Sequence, residues 1–182
     1  NTAKNAGEYT ATASLLSKRN YVWSDGTSDD KQIAWSIARA SVTPPAAVTG
    51  LVYNGETQTG VVLPENALFT LTGNTAKNAG EYTATASLLS KQNYVWADGT
   101  SDDKRIEWSI ARASVTPPAA VTGLVYNGET QTGVELPENA LFTLTGNTAK
   151  NAWEYTATAS LLSKQNYVWP YGKTEENQIV WE

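Results

Sequence analysis

The sequence predicts an all-β fold made of tandem copies of one small β-sandwich domain. Residues 74–146 repeat residues 1–73, apolar residues within each copy alternate with a period of two, and glycine-containing dipeptides separate the alternating segments. A period of 73 residues exceeds the roughly 20–50 residues of a solenoid unit. Each copy is therefore predicted to be a whole small domain rather than one turn of a superhelix.

The copies are nearly identical in sequence. Residues 74–146 differ from residues 1–73 at five positions: Arg19/Gln92, Ser24/Ala97, Gln32/Arg105, Ala34/Glu107 and Val62/Glu135. Residues 147–182 repeat residues 74–109 with more changes, most of them after Trp169. Near-identity favours a role in which length matters more than individual sites.

The phase of the repeat predicts the domain organisation. The segment SVTPPAAVTG, at residues 41–50 and again at 114–123, is predicted to be a linker. Each proline restrains the residue before it to extended geometry, and the Pro-Pro pair stiffens the passage. Division at these segments predicts the C-terminal half of a repeat at 1–40 and complete repeats at 41–113 and 114–182.

Strands and their buried faces follow from the period of two. Alternation assigns one face of GEYTATASLL, of NYVWA and of KRIEWSIA to the core, and LVYNG and LFTLTG complete the strands of a copy. The predicted core residues are Val52, Leu71, Tyr82, Ala84, Ala86, Leu88, Tyr94, Trp96, Ile106, Trp108 and Ile110. Asn54-Gly55 and Asp98-Gly99 suit tight turns, and LPENAL is predicted to form at most one helical turn.

Residues 1–40 match only the second half of a copy. They carry three predicted strands with an apolar face and no partner strands of their own. Because open strand edges pair readily, we expect self-association of this segment with another chain by strand exchange or edge pairing, or docking on the following repeat. The chain starts at Asn1 rather than at methionine, so we interpret it as a fragment of a longer protein.

Composition excludes several functional classes. A net charge of −5 argues against nucleic acid as a partner, and no apolar run is long enough for membrane insertion. The chain contains no cysteine and no histidine, which removes thiolate chemistry and the commonest general base. We therefore expect no enzyme, no catalytic residue and no cofactor.

An acidic segment, DGTSDDK, occurs at residues 25–31 and 98–104. Asp98, Asp102 and Asp103 are oxygen donors of the type that calcium prefers. Their spacing matches no EF-hand loop, and the third copy replaces the segment with YGKTEEN. We predict a solvated hairpin loop with no metal.

Aromatic residues offer the strongest candidates for contact with a partner. Trp96 and Trp108 fall on predicted core faces, where they fill a small sandwich. Trp153 replaces the glycine that occurs as Gly7 and Gly80 in the other copies, and is predicted to be strained there or to redirect the loop. Trp153 and Tyr171 are the candidate contact residues.

Several motifs together resemble the Ig-like tandem-repeat domains of large bacterial surface proteins, of the MBG type or related to it. The resemblance covers essentially the whole chain. It rests on YNG at residues 53–55 and 126–128, on the Ala-Gly-x-Tyr strand start at 79–82 and on the closing I-x-WSI strand. It implies an Ig-like sandwich, with β-grasp-like repeats as the alternative fold, and an extracellular place on a bacterial cell surface, wall-attached or secreted.

Two functions follow as expectations. The first is a non-enzymatic structural spacer or stalk that holds another part of a surface protein away from the cell, which the resemblance implies. The alternative is an adhesin module that recognises a host glycan or protein. An exposed patch around Trp153 and Tyr171 would favour the second function.

Overall fold

The computed structural model describes residues 2–182, except for the side chain of Tyr171. Short strands occupy the described chain, with one 3₁₀ turn at Pro170–Gly172, so the all-β prediction is confirmed. The strands are β1 (Gly7–Ala13), β2 (Lys31–Ile37), β3 (Ala40–Val42), β4 (Gln58–Thr59), β5 (Phe69–Thr72), β6 (Thr75–Ala76), β7 (Gly80–Leu88), β8 (Tyr94–Trp96), β9 (Lys104–Ile110), β10 (Ala113–Ser114), β11 (Gln131–Thr132), β12 (Phe142–Thr145), β13 (Thr148–Ala149), β14 (Tyr155–Leu161), β15 (Tyr167–Val168) and β16 (Asn177–Trp181). Over residues 2–182, no helix has the length and apolar character needed to cross a membrane.

The chain divides into two compact units whose boundaries differ from those of the repeat. The first unit comprises the residues up to Ala46 together with Leu63–Thr72 and Thr85–Ile106. The second comprises Ala47–Val62, Gly73–Ala84 and Glu107–Glu182. The division falls inside β7 and β9, so neither unit coincides with one 73-residue copy. The predicted domain boundaries at 40/41 and 113/114 stay predictions.

In the first unit, a hairpin precedes two paired sets of strands. Strands β1 and β2 are antiparallel, with Tyr9 opposite Trp35. Strand β3 pairs in parallel with β8, and β5 pairs with β7 in antiparallel fashion. The core between these pairs is made of Val42, Phe69, Ala86, Leu88 and Trp96. The large aromatic rings meet here, with the Phe69 and Trp96 centroids 5.7 Å apart.

The second unit contains the corresponding arrangement of the last copy. Strands β12, β14 and β16 form an antiparallel sheet, β10 pairs in parallel with β15, and β11 pairs with β13. One core cluster joins Val115, Phe142, Ala159, Leu161 and Trp169. A second cluster is centred on Val134, Ala157 and Trp181.

Most of the predicted core residues lie where alternation places them. Ala84, Ala86, Leu88, Trp96, Trp108 and Ile110 are buried, and Leu71, Tyr82, Tyr94 and Ile106 are partly buried. The intervening residues Arg105, Glu107 and Ser109 are exposed. The predicted register of β7 and β9 is therefore confirmed.

Two parts of the predicted linker, residues 41–50, take part in strand pairing. Ala40–Val42 form β3, and the Val42 side chain is buried in the core of the first unit. In the second unit, Ala47 forms an isolated bridge with Val61. Proline has no backbone N–H to donate to a neighbouring strand. Pro44 and Pro45 therefore interrupt the strand pairing, but residues on either side of them still pair.

Two strand predictions also fail. LVYNG forms only an isolated bridge between Val52 and Ala111, and the Val52 side chain is 48% exposed rather than buried. Three strands are predicted for residues 1–40, but the structure has only β1 and β2 within residues 2–39, because Tyr21–Trp23 lie outside any strand. LPENAL forms a single turn closed by a hydrogen bond from the Ala67 amide to the Pro64 carbonyl.

Candidate functional site

An asparagine just before the aromatic strand binds the loop of the preceding copy. In the first unit, the Asn93 side-chain oxygen accepts a hydrogen bond from the Ala6 amide at 2.8 Å. The Asn93 amide nitrogen donates to the Asn5 side-chain oxygen at 3.2 Å. Both polar atoms of the Asn93 side chain therefore face the loop that leads into β1.

The same contact recurs in the second unit. The Asn166 side-chain oxygen accepts from the Ala79 amide at 2.9 Å, and its nitrogen donates to Asn78 at 3.2 Å. The Asn166 residue is only 8% exposed, and Ala79 is buried. Because a buried amide without a partner is destabilising, this pair of bonds is a structural requirement at the junction. We call the contacts around Asn93 and Asn166 the junction.

Backbone bonds complete each junction. The Asn93 carbonyl accepts from the Ala40 amide at 2.8 Å, and the Asn166 carbonyl accepts from the Ala113 amide at 2.9 Å. These bonds extend the parallel pairing of β3 with β8 and of β10 with β15. Each asparagine thus binds two segments of the preceding copy. Its side chain binds the loop before the first long strand of that copy, and its backbone carbonyl binds the segment that follows the last long strand.

Aromatic and apolar groups surround the junction of the second unit. The rings of Tyr53 and Tyr167 meet edge to face, with centroids 5.4 Å apart. Burial, with a smaller effect of the neighbouring Tyr53 hydroxyl, raises the pKa of Tyr167. Beside this pair, Gly80 and Gln165 line one pocket of ≈ 270 Å³. The glycine and the glutamine therefore face the same space.

The third copy presents the corresponding loop uncovered. Asn151 and Ala152 are exposed, and Trp153 is 76% exposed. Strand β14 begins at Tyr155, opposite Trp181, two residues later than β7 begins in its own copy. In this register the position opposite Trp153 would be residue 183, so the later start of β14 does not test whether tryptophan redirects the loop, and that stays a prediction.

Trp153 lies at the rim of a pocket of ≈ 290 Å³. The Tyr155 hydroxyl, at its edge, donates to the Asn151 carbonyl at 3.0 Å, and the Tyr155 ring stacks on Trp181. Residues that line the pocket include Leu124, Tyr126, Lys150, Trp153, Tyr155 and Trp181. Aromatic faces beside a charged amine suit recognition of a sugar or of a protein side chain. The other candidate, Tyr171, has a side chain outside the described residues, and its role stays a prediction.

The acidic loop uses its carboxylates internally. One Asp98 oxygen accepts from the Thr100 hydroxyl at 2.7 Å, and the other accepts from the Lys104 amine at 2.5 Å. The bond from Lys104, followed by that from Thr100, lowers the pKa of Asp98 to about 2. The Trp96 indole nitrogen donates to the Asp102 carbonyl at 2.7 Å. Exposed side chains and these internal bonds agree with the predicted solvated loop.

The third copy keeps the shape of this loop without the first aspartate. The Trp169 indole nitrogen donates to the Glu175 carbonyl at 2.8 Å, as Trp96 does to Asp102. Since the acceptor is a backbone carbonyl, the contact tolerates changes of side chain. Among the described residues, no three acidic side chains gather in a way that would hold a metal ion.

Sequence reasoning missed the junction asparagine. A signal was present, because Asn20, Asn93 and Asn166 occupy the same place in the three copies, immediately before Tyr-Val-Trp. A polar residue next to an aromatic strand was not expected to be buried. Its partner is a backbone amide 87 positions away, and such a distant contact has no local signature.

Comparison of the chain with protein-family models, with curated proteins and with solved structures found no match. The resemblance to bacterial Ig-like repeats therefore stays a prediction.

Proposed function

We propose that the chain is a non-enzymatic structural spacer, built of Ig-like repeats and belonging to the stalk of a bacterial cell-surface protein. The observation that carries this proposal is the junction, which occurs with the same bonds around Asn93 and Asn166. A spacer needs each added copy to be held in the same way as the one before it. A repeated, buried polar contact supplies that uniformity.

The short connection from a long strand of one copy to the strand that pairs with the next copy supports the same function. Only Ala38 and Arg39 separate β2 from β3, and only Ala111 and Arg112 separate β9 from β10. A two-residue connection with paired strands on both sides leaves few backbone dihedrals to vary. Motion between successive copies is therefore restricted, as a spacer that transmits distance requires.

The spacer function is tested by varying the number of copies. Chains with one, two and three further copies of residues 74–146 are compared by small-angle X-ray scattering. We expect the maximum particle dimension to increase by a constant amount per copy. Replacing both Asn93 and Asn166 with alanine should broaden the distribution of distances. A maximum dimension that does not grow with copy number would contradict the proposal.

A second candidate function is an adhesin module that recognises a host glycan or protein through Trp153. It is favoured by the exposed indole at the rim of a pocket that also contains Tyr126. The test is binding of the chain to a glycan array. Trp153→Ala should abolish the signal, whereas Leu16→Ala, a change at another exposed apolar residue, should leave it unchanged.

A further inference from the structure

Two asparagines of this chain precede a glycine, and both lie in an exposed turn. Asn54 precedes Gly55, and Asn127 precedes Gly128 in the next copy. Both asparagines are exposed, and no atom lies within 4 Å of a Cβ atom placed on either glycine. Because glycine has no side chain to shield its backbone nitrogen, this nitrogen is accessible to the carboxamide of the preceding residue.

One hydrogen bond activates the carboxamide in both turns. The Asn54 Oδ1 atom accepts from the Glu56 amide at 2.9 Å, which is the arrangement of an Asx turn. The bond spans Gly55, whose φ is +85°. It draws electron density from the carboxamide carbon, so that carbon becomes more electrophilic. Asn127 accepts from the Glu129 amide, also at 2.9 Å.

The backbone nitrogen that would attack this carbon is not engaged in a protein hydrogen bond. In the part of the chain that the structure describes, neither the Gly55 amide nor the Gly128 amide donates to a protein acceptor. The Ala67 amide, which follows Asn66, instead donates to the Pro64 carbonyl at 3.3 Å. A bonded amide must lose its hydrogen bond before its nitrogen attacks, and this loss adds to the barrier.

Asn54 also follows a residue that packs against the next copy. The Tyr53 amide donates to the Ala111 carbonyl at 2.9 Å. The Tyr53 ring meets the Tyr167 ring edge to face, beside the junction of the second unit. A change in backbone length at Asn54 would therefore move Tyr53 relative to both of these partners.

We propose that Asn54 and Asn127 deamidate spontaneously in the folded chain, and that the reaction at Asn54 weakens the contact of Tyr53 with Tyr167. The Gly55 nitrogen gives its proton to a base in the solvent and attacks the carboxamide carbon of Asn54. A new N–C bond forms, and the bond from this carbon to the side-chain nitrogen breaks. The side-chain nitrogen takes up a proton from solvent and leaves as ammonia.

Water then opens the resulting succinimide ring at one of its two carbonyl groups. One product is aspartate, which adds a negative charge to the turn and leaves the backbone length unchanged. The other is isoaspartate, in which the backbone passes through the former side chain and is longer by one methylene group. The inference does not rest on the proposed spacer function, because it follows from the chemistry of the turn and from the contacts of Tyr53.

The first test is peptide mapping by mass spectrometry of the full 182-residue chain after incubation in mildly alkaline buffer. Deamidation replaces an –NH₂ group with –OH and so changes the mass of the peptide. Asn54 and Asn127 should react at least about tenfold faster than Asn66, whose following amide must first lose its bond to Pro64. The native rate at Asn54 should stay within about tenfold of the rate in urea, since no native bond of the Gly55 amide has to break.

The second test is hydrogen exchange of the Tyr53 amide. In the isoaspartate form this amide should exchange about tenfold faster, the effect of losing one hydrogen bond to Ala111. Asn54→Asp is the matched control. It carries the charge of the aspartate product with unchanged backbone length, and it keeps an oxygen acceptor for the Glu56 amide. Its Tyr53 amide should therefore exchange at the rate of the parent chain.

Three results would overturn the proposal. The first is deamidation of Asn54 and Asn127 at the same rate as that of Asn66. The second is a native rate at Asn54 more than about tenfold below the rate in urea, which would show that the turn prevents the attack. The third is an isoaspartate form whose Tyr53 amide exchanges as slowly as in the parent chain, which would separate the modification from the contact with Tyr167.

Discussion

Gly60 lies directly against the indole ring of Trp108, and a Cβ atom placed on Gly60 would overlap the ring atoms. Trp108 is buried, donates its indole N–H to the Gly73 carbonyl at 3.0 Å and stacks on Tyr82. Gly133 has the same relationship to Trp181 in the next copy. The ring is thus held on several sides and cannot move away from a side chain at Gly60 without loss of these contacts.

Gly60→Ala should lower the free energy of unfolding by about 3 kcal/mol, because a methyl group in a filled core displaces a fixed ring. The control is Gly55→Ala. Gly55 has φ of +85° and no atoms near its would-be Cβ, so only backbone strain of about 1 kcal/mol is expected. The free energies of unfolding of both variants are measured by urea unfolding, with tryptophan fluorescence as the signal. Equal losses in the two variants would contradict steric exclusion at Gly60.

Asn166→Ala should destabilise the protein by about 1–3 kcal/mol, because it leaves the buried Ala79 amide without its acceptor. Asn20→Ala is the matched control at the exposed counterpart, and should change the stability of the monomer by less than about 0.5 kcal/mol. Amide hydrogen exchange gives a local readout. Protection of the Ala79 amide should fall in Asn166→Ala, and an unchanged exchange rate would contradict the junction.

Local pattern predicted the long strands but could not predict pairing between distant segments. Alternation placed Trp108 and Ala86 in the core, because packing on one face of a strand leaves a period of two in the sequence. Residues 21–23 and 94–96 have the same sequence, Tyr-Val-Trp, yet only the second forms a strand. The difference is the partner: Ala40–Val42 pairs with Tyr94–Trp96, and no described segment pairs with residues 21–23.

The candidate site shows the same limit. Exposure of Trp153 was predictable because glycine occupies that position in the two other copies, so no core depends on a large side chain there. Burial of Asn166 was not predictable, because its hydrogen-bond partners Ala79 and Asn78 lie more than 80 positions earlier in the chain. The pairing of Val52 was not predictable for the same reason, because its bridge partner, Ala111, is distant in sequence.

Stability should decrease in acid through the Asp98–Lys104 pair. The pKa of Asp98 is about 2 in the folded chain, below its ordinary value of 3.8. The cause is that Lys104 and then Thr100 donate hydrogen bonds to the carboxylate. A group whose folded pKa is lowered stabilises the fold above its unfolded pKa, and the contribution is lost as pH falls through the folded pKa. The melting temperature should therefore fall between about pH 4 and pH 2, and part of this fall should be absent in Asp98→Asn.

The control for that titration is Asp102→Asn, since Trp96 uses the backbone carbonyl of Asp102. This variant should keep the acid-dependent loss of the parent chain. A carbon-13 NMR titration of the aspartate carboxyls gives the direct measurement. An Asp98 midpoint close to 3.8 would contradict the contact with Lys104.

Trp153 and Trp169 should behave as opposite extremes in fluorescence. An indole in water emits at longer wavelength and is quenched readily by acrylamide, whereas a buried indole is shielded from both effects. Trp153 is 76% exposed and Trp169 is buried in the core of the last copy. Trp153→Phe should therefore remove the most quenchable part of the emission, with a change in stability below about 0.5 kcal/mol.

Trp169→Phe should instead remove shielded emission and lower stability by about 2 kcal/mol, through a cavity beside Phe142 and loss of the bond to the Glu175 carbonyl. The emission spectra and acrylamide quenching of Trp153→Phe and Trp169→Phe are compared with those of the parent chain at one protein concentration. Quenching that is the same in Trp153→Phe as in the parent chain would contradict the exposure of Trp153.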